Sequence, residues 1–166
     1  VGKEKRKGKD GSPYAIADYE KTNPEMGTME EFESLVSAAH KKGMKVIIDI
    51  VFSHTSPDSR LYQTHPEWFC LNEHGKPSSL VEDWYDIIDL DFSKPGLSDE
   101  LCRILTVWGQ RCDGFRCDVA SRVPLDFWRK ARREADAKNP DLFWLAESCH
   151  LPFIKFIRDS GRTAHS

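Results

Sequence analysis

Two charged residues separated by one position lie in an otherwise apolar or small stretch, Gly114-Phe115-Arg116-Cys117-Asp118-Val119-Ala120. If this stretch is a β-strand, its side chains alternate between faces, so Arg116 and Asp118 point the same way. A guanidinium beside a carboxylate favours the ionised form of that carboxylate. The pattern therefore indicates either an ionised Asp118 that acts as nucleophile or metal ligand, or a structural ion pair.

Two further polar residues follow strand-like segments. His54 comes just after residues 44–52, a nearly continuous apolar and β-branched run that is typical of a strand buried on both faces. Glu147 comes directly after the apolar segment 142–146. In parallel barrels the carboxyl ends of the strands carry the chemistry, so we expect His54, Asp118 and Glu147 to lie at that end of the fold.

The segments that alternate with these strands favour helices. Thr28 and Glu31 have the spacing of a capping box, which marks the start of a helix. Further helices are predicted to begin near Ser98, Pro124 and Pro152. Alternation of helix and strand predicts parallel strands joined by right-handed crossovers. Because no glycine-rich phosphate loop follows a strand, an α/β fold with about three of the eight strands of a (β/α)8 TIM barrel fits better than a nucleotide-binding fold.

Residues 56–91 show no clear period and contain several prolines and clustered aromatic residues. Such a long irregular segment is uncommon inside a compact domain and is usually functional. We interpret it as an excursion between a strand and the next helix, with room for one short hairpin.

The composition excludes several classes of protein. The chain has 166 residues and a formal net charge of -3, so nothing points to nucleic acid or an anionic membrane as a partner. No apolar run approaches the ~20 residues of a membrane span, and the charged start lacks the apolar core of a signal peptide. The five cysteines are odd in number and lack metal-site spacing, which predicts reduced thiols and a cytoplasmic protein.

One βα unit separates Asp118 from Glu147, so their strands are expected to be neighbours about 4.8 Å apart. Carboxyl groups on adjacent strand ends fall near the ~5–5.5 Å that retaining glycosidases use. Arg116 should keep Asp118 charged, whereas the apolar residues before Glu147 should raise its pKa and suit it to general acid catalysis. The alternative for Glu147 is an acidic residue that stabilises the start of the last helix.

Several motifs in this order resemble the α-amylase-type glycoside hydrolases, glycoside hydrolase family thirteen. The segment Asp49-Ile50-Val51-Phe52-Ser53-His54 is similar to the first conserved region of that family. The stretch from Gly114 to Asp118 is similar to the second region, and the strand before Glu147 to the third. Asp89-Leu90-Asp91 resembles an additional region at the end of the small second domain of the family.

The resemblance implies a retaining hydrolysis of α-glucosidic bonds in starch-like glucans or α-glucooligosaccharides. Asp118 would be the nucleophile, and Glu147 would protonate the leaving oxygen and then activate water. Arg116 would keep Asp118 ionised and oriented. His54 would bind hydroxyl groups of the substrate, and Tyr14 would stack on its ring.

The resemblance also implies a role for Asp49 and a domain organisation. Asp49, which is costly to bury without a partner, would be a structural partner beneath the site. Residues 1–55 and 92–166 would form the partial catalytic barrel, and residues 56–91 the small domain that follows the third barrel strand. The region with a third catalytic carboxylate would lie beyond Ser166, so we expect the isolated chain to be inactive.

Two departures from the family concern calcium. Ser53 stands where the family usually has an asparagine that often binds calcium, and Arg122 stands where it often has a histidine of the same site. Serine is a poorer calcium ligand and arginine cannot be one. We therefore expect neither a metal nor a cofactor.

Three other functions can be compared with hydrolysis of α-glucosidic bonds: phosphatase activity, carbohydrate binding without catalysis, and another reaction of the same fold. The segment 89–93 also resembles the start of haloacid-dehalogenase-type phosphatases, but only Ile87 and Ile88 precede it where an apolar strand is needed. A non-catalytic carbohydrate-binding relative would typically lack the carboxylates that Asp118 and Glu147 supply. Transglycosylation, isomerisation or phosphorolysis by the same fold stays open at this level, because acceptor choice depends on loops outside the chain.

Overall fold

The computed structural model describes residues 2, 5, 7–9, 11–81, 83–148 and 150. The chain forms two compact units. A loop-rich unit contains residues 1–21 and 51–98, and a sheet unit contains residues 22–50 and 99–166. No helix in the described part of the chain combines the length and the apolar character that crossing a bilayer requires.

Helices and strands alternate much as the sequence predicts. The helices are α1 (Met29–Lys41), α2 (Arg60–Thr64), α3 (Leu97–Gly109) and α4 (Leu125–Asp136). The strands are β1 (Ile47–Ile50), β2 (His54–Thr55), β3 (Ile88–Asp89), β4 (Gly114–Cys117) and β5 (Phe143–Ala146). The helix predicted to begin near Pro152 lies outside the described residues.

The sheet unit is built on three parallel strands in the order β1-β4-β5. The central strand β4 carries Phe115, which is fully buried and lies with its ring centroid 5.1 Å from that of Trp144 on β5. The prediction that β1 is buried on both faces is wrong, since Ile47 is 39% exposed and Ile50 is the buried residue of the strand. Among the described residues β1 pairs with β4 alone, so no described strand pairs with its other edge.

The helices of the sheet unit begin where local signals place them. Thr28 and Glu31 form the predicted capping box: each side chain accepts a hydrogen bond from the backbone N–H of the other, at 3.2 and 2.8 Å. Helix α4 follows Pro124 and buries the apolar side predicted for it. Its Trp128 donates an indole hydrogen bond to the Ala120 carbonyl at 2.9 Å, which ties α4 to the end of β4.

The loop-rich unit contains more structure than its sequence predicts. Strands β2 and β3 pair antiparallel and form a small ladder between the ends of the excursion. Helix α2 was missed, because its five residues are too few to show a period and Leu61 is its buried residue. Ser59 nevertheless caps it by accepting a hydrogen bond from the Tyr62 N–H at 3.2 Å. The boundaries of a separate small domain over 56–91 stay a prediction.

Candidate active site

The register of the sheet brings four charged residues to the same end of three adjacent strands. Asp49 on β1 is paired in register with Arg116 on β4. Asp118 and Glu147 follow directly after the last paired residues of β4 and β5. Their backbone N–H groups extend the ladder, since Asp118 donates to Ile50 at 2.9 Å and Glu147 donates to Cys117 at 3.0 Å. The prediction that Asp118 and Glu147 lie on neighbouring strands is confirmed.

Arg116 binds three carboxyl groups at once. Its Nη1 lies 2.7 Å from Asp49 Oδ1 and 2.7 Å from Asp118 Oδ1, and its Nη2 lies 2.9 Å from Glu147 Oε1. Burial opposes its charge, yet the hydrogen bond and the charge of Asp49, together with the charges of Glu147 and Asp118, raise the pKa of Arg116. A planar guanidinium with several N–H donors is suited to such a cluster.

Asp118 is the most buried of the three carboxyl groups, with a side chain that is 10% exposed. Burial raises the pKa of Asp118 to about 6; Arg116 acts against this rise and the nearby Glu147 carboxylate adds to it. The predicted contact with Arg116 is therefore present, and a pKa of about 6 still leaves most of the Asp118 carboxyl groups ionised at pH 7. The free energy lost when the Asp118 carboxylate is removed from water exceeds the free energy gained from a guanidinium that it shares with two other carboxyl groups.

Glu147 lies in a more polar environment than the sequence predicts. Its side chain is 47% exposed. A hydrogen bond from the Val119 N–H, at 3.0 Å from Oε2, lowers the pKa of Glu147; partial burial opposes this, and Arg116 contributes to it. The prediction of a raised pKa for Glu147 is wrong, because the carboxyl group extends past the apolar residues of β5 to donors that β4 and the turn after it supply.

The turn after β4 is a part of the site that sequence reasoning missed. Val119 has φ 37° and ψ 48°, in the left-handed region, and a 3-10 helix over Ala120–Arg122 follows it. The Ala120 N–H donates to the Glu147 carbonyl at 2.9 Å. No sequence signal points to this turn, since a β-branched residue is among the least suited to a positive φ.

Two predicted substrate-binding residues, His54 and Tyr14, belong to the loop-rich unit, whereas the carboxyl cluster belongs to the sheet unit. His54 is 4% exposed, and its Nδ1 lies 2.7 Å from Ser53 Oγ. Its ring centroid is 5.6 Å from that of Trp84, and Tyr19 Oη lies within hydrogen-bond distance of its carbonyl at 3.1 Å. Tyr14 is 39% exposed in the loop before Tyr19. The roles of both residues in binding substrate stay predictions.

The family model of the alpha-amylase catalytic domain matches residues 6–88, which is half of the chain. The chain belongs to the α-amylase family. The match covers the predicted first conserved region with Asp49 and residues 56–88 of the excursion, while Arg116, Asp118 and Glu147 follow it along the chain.

Relatives within the α-amylase family include both hydrolases and transferases. An α-1,4-glucan:maltose-1-phosphate maltosyltransferase of Arcanobacterium haemolyticum is 31% identical over 87% of this chain and 22% of its own length. A maltogenic α-amylase of Bacillus acidopullulyticus is 30% identical over 86% of this chain and 28% of its own length. The crystal structure of an α-amylase from Lactobacillus plantarum is 49% identical, with a TM-score of 0.89, over all of this chain and 39% of that one.

The likeness to the Lactobacillus plantarum structure confirms the predicted fold class. The three parallel strands and their helices are part of an α-amylase (β/α)8 barrel. The chain spans about a quarter of the length of the curated relatives it matches and 39% of that solved structure.

The calcium ion that the family resemblance implies does not fit the side chains at positions 53 and 122. The Ser53 hydroxyl is engaged with His54 at 2.7 Å, and Arg122 brings a positive charge. Within the described ranges no group of three or more histidine, cysteine, aspartate or glutamate side chains is arranged to hold a metal ion.

Proposed function

We propose that this chain supplies the nucleophile and the general acid/base of an enzyme that hydrolyses α-glucosidic bonds in starch-like glucans or α-glucooligosaccharides with retention of configuration. The observation that carries the proposal is the pair Asp118 and Glu147 at adjacent strand ends, joined through Arg116. Adjacent carboxyl groups that differ in burial and partners can take the two roles that retaining glycosidases need.

In the first step Asp118 attacks the anomeric carbon while Glu147 donates its proton to the glycosidic oxygen. The bond between these two sugar atoms breaks, and the anomeric carbon becomes bonded to Asp118. This step needs a charged Asp118 and a protonated Glu147, which is the reverse of the preference in the free site. A sugar ring bound over the half-exposed Glu147 would remove water from it and raise its pKa, while Arg116 supports the charge on Asp118.

In the second step the Glu147 carboxylate takes a proton from water. The water oxygen bonds to the anomeric carbon, and the bond to Asp118 breaks, which returns Asp118 as a carboxylate. Two displacements at the same carbon restore the original configuration. Arg116 contacts both carboxyl groups and therefore stabilises the one that is charged at each stage.

Other residues would position the substrate. His54 would bind hydroxyl groups, and its orientation is held by Ser53 and by packing near Trp84. Tyr14 would stack on the sugar ring. Asp49, which is ion-paired with Arg116 at 2.7 Å, would fix the guanidinium from beneath the site. A cytoplasmic location belongs to the same proposal, and the free thiols of the buried Cys102, Cys112 and Cys117 support it.

Proton NMR of the first-formed product tests the proposal on the protein that contains this chain. With an α-linked maltooligosaccharide, we expect the α-anomer to appear first and the β-anomer to grow only by mutarotation. An initial β-anomer would overturn the retaining mechanism. The matched control is Asp118→Asn, which should lose nearly all turnover but still bind the substrate.

Transfer to a sugar acceptor instead of water is the second candidate function. It is favoured by the relative named as a maltosyltransferase, which is 31% identical over most of this chain. The two functions share the first step and differ in the acceptor of the second. Incubation with maltose 1-phosphate and a maltooligosaccharide separates them, because a transferase releases phosphate and lengthens the oligosaccharide, whereas a hydrolase shortens the oligosaccharide in the absence of the phosphate donor.

A further inference from the structure

The turn formed by Val119 and Ala120, here called the Val119 turn, has a backbone that valine rarely adopts. Val119 has φ 37° and ψ 48°, and among the described residues Lys5 is the other non-glycine residue with a positive φ. Glycine would adopt this conformation without steric cost. Strained backbone of this kind tends to persist where the surrounding structure enforces it, often at functional sites.

The conformation of Val119 fixes how the peptide groups on its two sides are oriented. As a result, two successive N–H groups face the same residue: Val119 donates to Glu147 Oε2 at 3.0 Å, and Ala120 donates to the Glu147 carbonyl at 2.9 Å. Successive N–H groups around a left-handed residue are a known way to hold anionic oxygen atoms. An extended Val119 would turn one of the two groups away.

We propose that the Val119 turn is a positioning device for Glu147, whose carboxylate it holds in place for the activation of water. The proposal rests on the proposed retaining function. Val119 would act through its main-chain N–H group and not through its side chain.

The groups that face Glu147 support this assignment. Arg116 from β4 binds Oε1 at 2.9 Å and the Val119 N–H binds Oε2, while the neighbouring Asp118 carboxyl and, across the guanidinium, Asp49 supply negative charge. Both oxygens of Glu147 therefore accept hydrogen bonds, as a carboxylate does. The carboxylate is the form that acts as general base in the second step of a retaining mechanism.

A purely structural role for the turn does not explain why Val119 adopts a strained backbone conformation. The Glu147 side chain is 47% exposed, so water could satisfy its oxygens without a strained residue. The connection from β4 to the 3-10 helix could likewise be made by glycine at position 119. What the observed arrangement adds is a fixed donor at one oxygen of Glu147.

The test replaces the amide at position 119 by an ester, through incorporation of α-hydroxyvaline into the protein that contains this chain. This change removes the N–H group and keeps the side chain. The matched control is the same replacement at Val123, whose N–H donates to the Ala120 carbonyl at 3.2 Å and does not contact Glu147. A second control, Val119→Gly, keeps both the N–H group and the left-handed turn.

The first readout is the pKa of Glu147, measured by NMR of protein labelled with ¹³C at the glutamate carboxyl carbons. We expect the ester at position 119 to raise this pKa by about 1, and both controls to leave it unchanged. An unchanged pKa in the position-119 ester, or an equal rise in the Val123 ester, would overturn the proposal. This readout needs no turnover, so it is independent of the anomer test of the proposed function.

The second readout is the fate of the covalent intermediate. An α-maltosyl fluoride needs no acid for its first step, so only the second step depends on Glu147 as a base. We expect the position-119 ester to slow the second step roughly tenfold and to accumulate intermediate, with the Val123 ester close to the unmodified protein. An unaltered second step in this ester would contradict the positioning role.

Discussion

At the scale of single residues, the site depends on one guanidinium that three carboxyl groups share. Arg116 lies within 2.7–2.9 Å of Asp49, Asp118 and Glu147, and these acids come from three different strand ends. Three carboxylates beside one positive charge leave excess negative charge, which favours the protonated form of a carboxyl group in the cluster. Burial makes Asp118 the carboxyl group with the raised pKa, about 6.

Arg116→Lys should lower kcat/KM about 100-fold, because a single ammonium cannot bind the carboxyl groups of Asp118 and Glu147 through two separate nitrogens. The measurement is kcat/KM with a chromogenic maltooligosaccharide. Arg111→Lys is the matched control, since Arg111 forms an exposed pair with Glu33 on the same unit. Activity of Arg116→Lys within twofold of the original protein would contradict the role given to the guanidinium.

Asp118→Asn should stabilise the protein at neutral pH while it removes activity. The raised pKa of Asp118 means that ionising this residue costs free energy in the folded state above pH 6. Asparagine avoids that cost, so we expect a gain of roughly 1–3 kcal/mol in the free energy of unfolding at pH 8. Below the unfolded pKa of about 3.9 both forms are neutral and the gain should vanish.

Glu147→Gln is the contrasting variant, because the pKa of Glu147 is lowered in the folded state by the Val119 N–H. Its carboxylate contributes stability above the unfolded pKa that is lost as the pH falls. We therefore expect Glu147→Gln to destabilise the protein at pH 8, opposite in sign to Asp118→Asn. Denaturant unfolding at pH 4 and pH 8 measures both, and the same sign for both variants at pH 8 would contradict the assignment.

At the scale of elements, the close approach of β4 to β5 sets the distance between the strands that carry Asp118 and Glu147. Gly114 is paired in register with Phe143, and a Cβ atom on Gly114 would lie well inside van der Waals distance of the Phe143 carbonyl oxygen. No real Cβ atom tolerates such a distance, and the clashing atom belongs to the backbone. A side chain at position 114 would therefore have to push the two strands apart.

Gly114→Ala is expected to reduce the free energy of unfolding by about 1–3 kcal/mol or more and to reduce kcat, because β5 must shift with Glu147. Thermal unfolding and kcat on the same preparation measure the two effects. The control is Gly109→Ala at the end of α3, where the added Cβ would meet the flexible end of Leu142 at 3.0 Å. A Gly114→Ala protein with unchanged stability would show that the spacing between the strands adapts.

Elements with local signals could be predicted from the sequence. The capping box of Thr28 and Glu31 places the start of α1, and the buried apolar side of α4 follows its spacing. The order of polar residues after strands also predicts that Asp118 and Glu147 lie at neighbouring strand ends, and the alternation of side chains pairs Arg116 with Asp118. These features depend on residues that are close in sequence or on the regular geometry of parallel strands.

Features that depend on distant parts of the chain could not be predicted. The raised pKa of Asp118 and the lowered pKa of Glu147 arise from burial and from donors on another strand and its turn. Val119 was missed because its residue type disfavours the conformation that it adopts. The exposure of β1 follows from which strands are its neighbours, and a single strand sequence does not contain that information.

At the scale of the whole molecule, membership of the α-amylase family does not decide whether water or a sugar accepts the transferred glycosyl group. Relatives of similar identity are named as a maltosyltransferase and as a maltogenic α-amylase. Both reactions can use the same nucleophile and acid/base, since they differ in the acceptor that attacks the glycosyl-enzyme. Under the proposed mechanism the carboxyl cluster of this chain would serve either reaction with retention, and the residues that surround the acceptor would decide between water and sugar.

The whole protein is expected to work without calcium. The Ser53 hydroxyl lies 2.7 Å from His54 Nδ1, and an arginine stands at position 122, so neither side chain at the two positions of the implied calcium site suits the ion. Dialysis against a chelator should leave both the melting temperature and kcat/KM unchanged. The measurement is a thermal melt together with an activity assay, each before and after chelation.

The control for this experiment distinguishes the effect of losing calcium from any effect of the chelator on the assay itself. After dialysis, one aliquot receives millimolar calcium and another receives magnesium. If calcium were structural, its removal would lower the melting temperature, because a ligand that binds the folded state alone stabilises it in proportion to the logarithm of its concentration over Kd. A loss on chelation that calcium restores and magnesium does not would show that backbone or other oxygen atoms replace the side chains missing at Ser53 and Arg122.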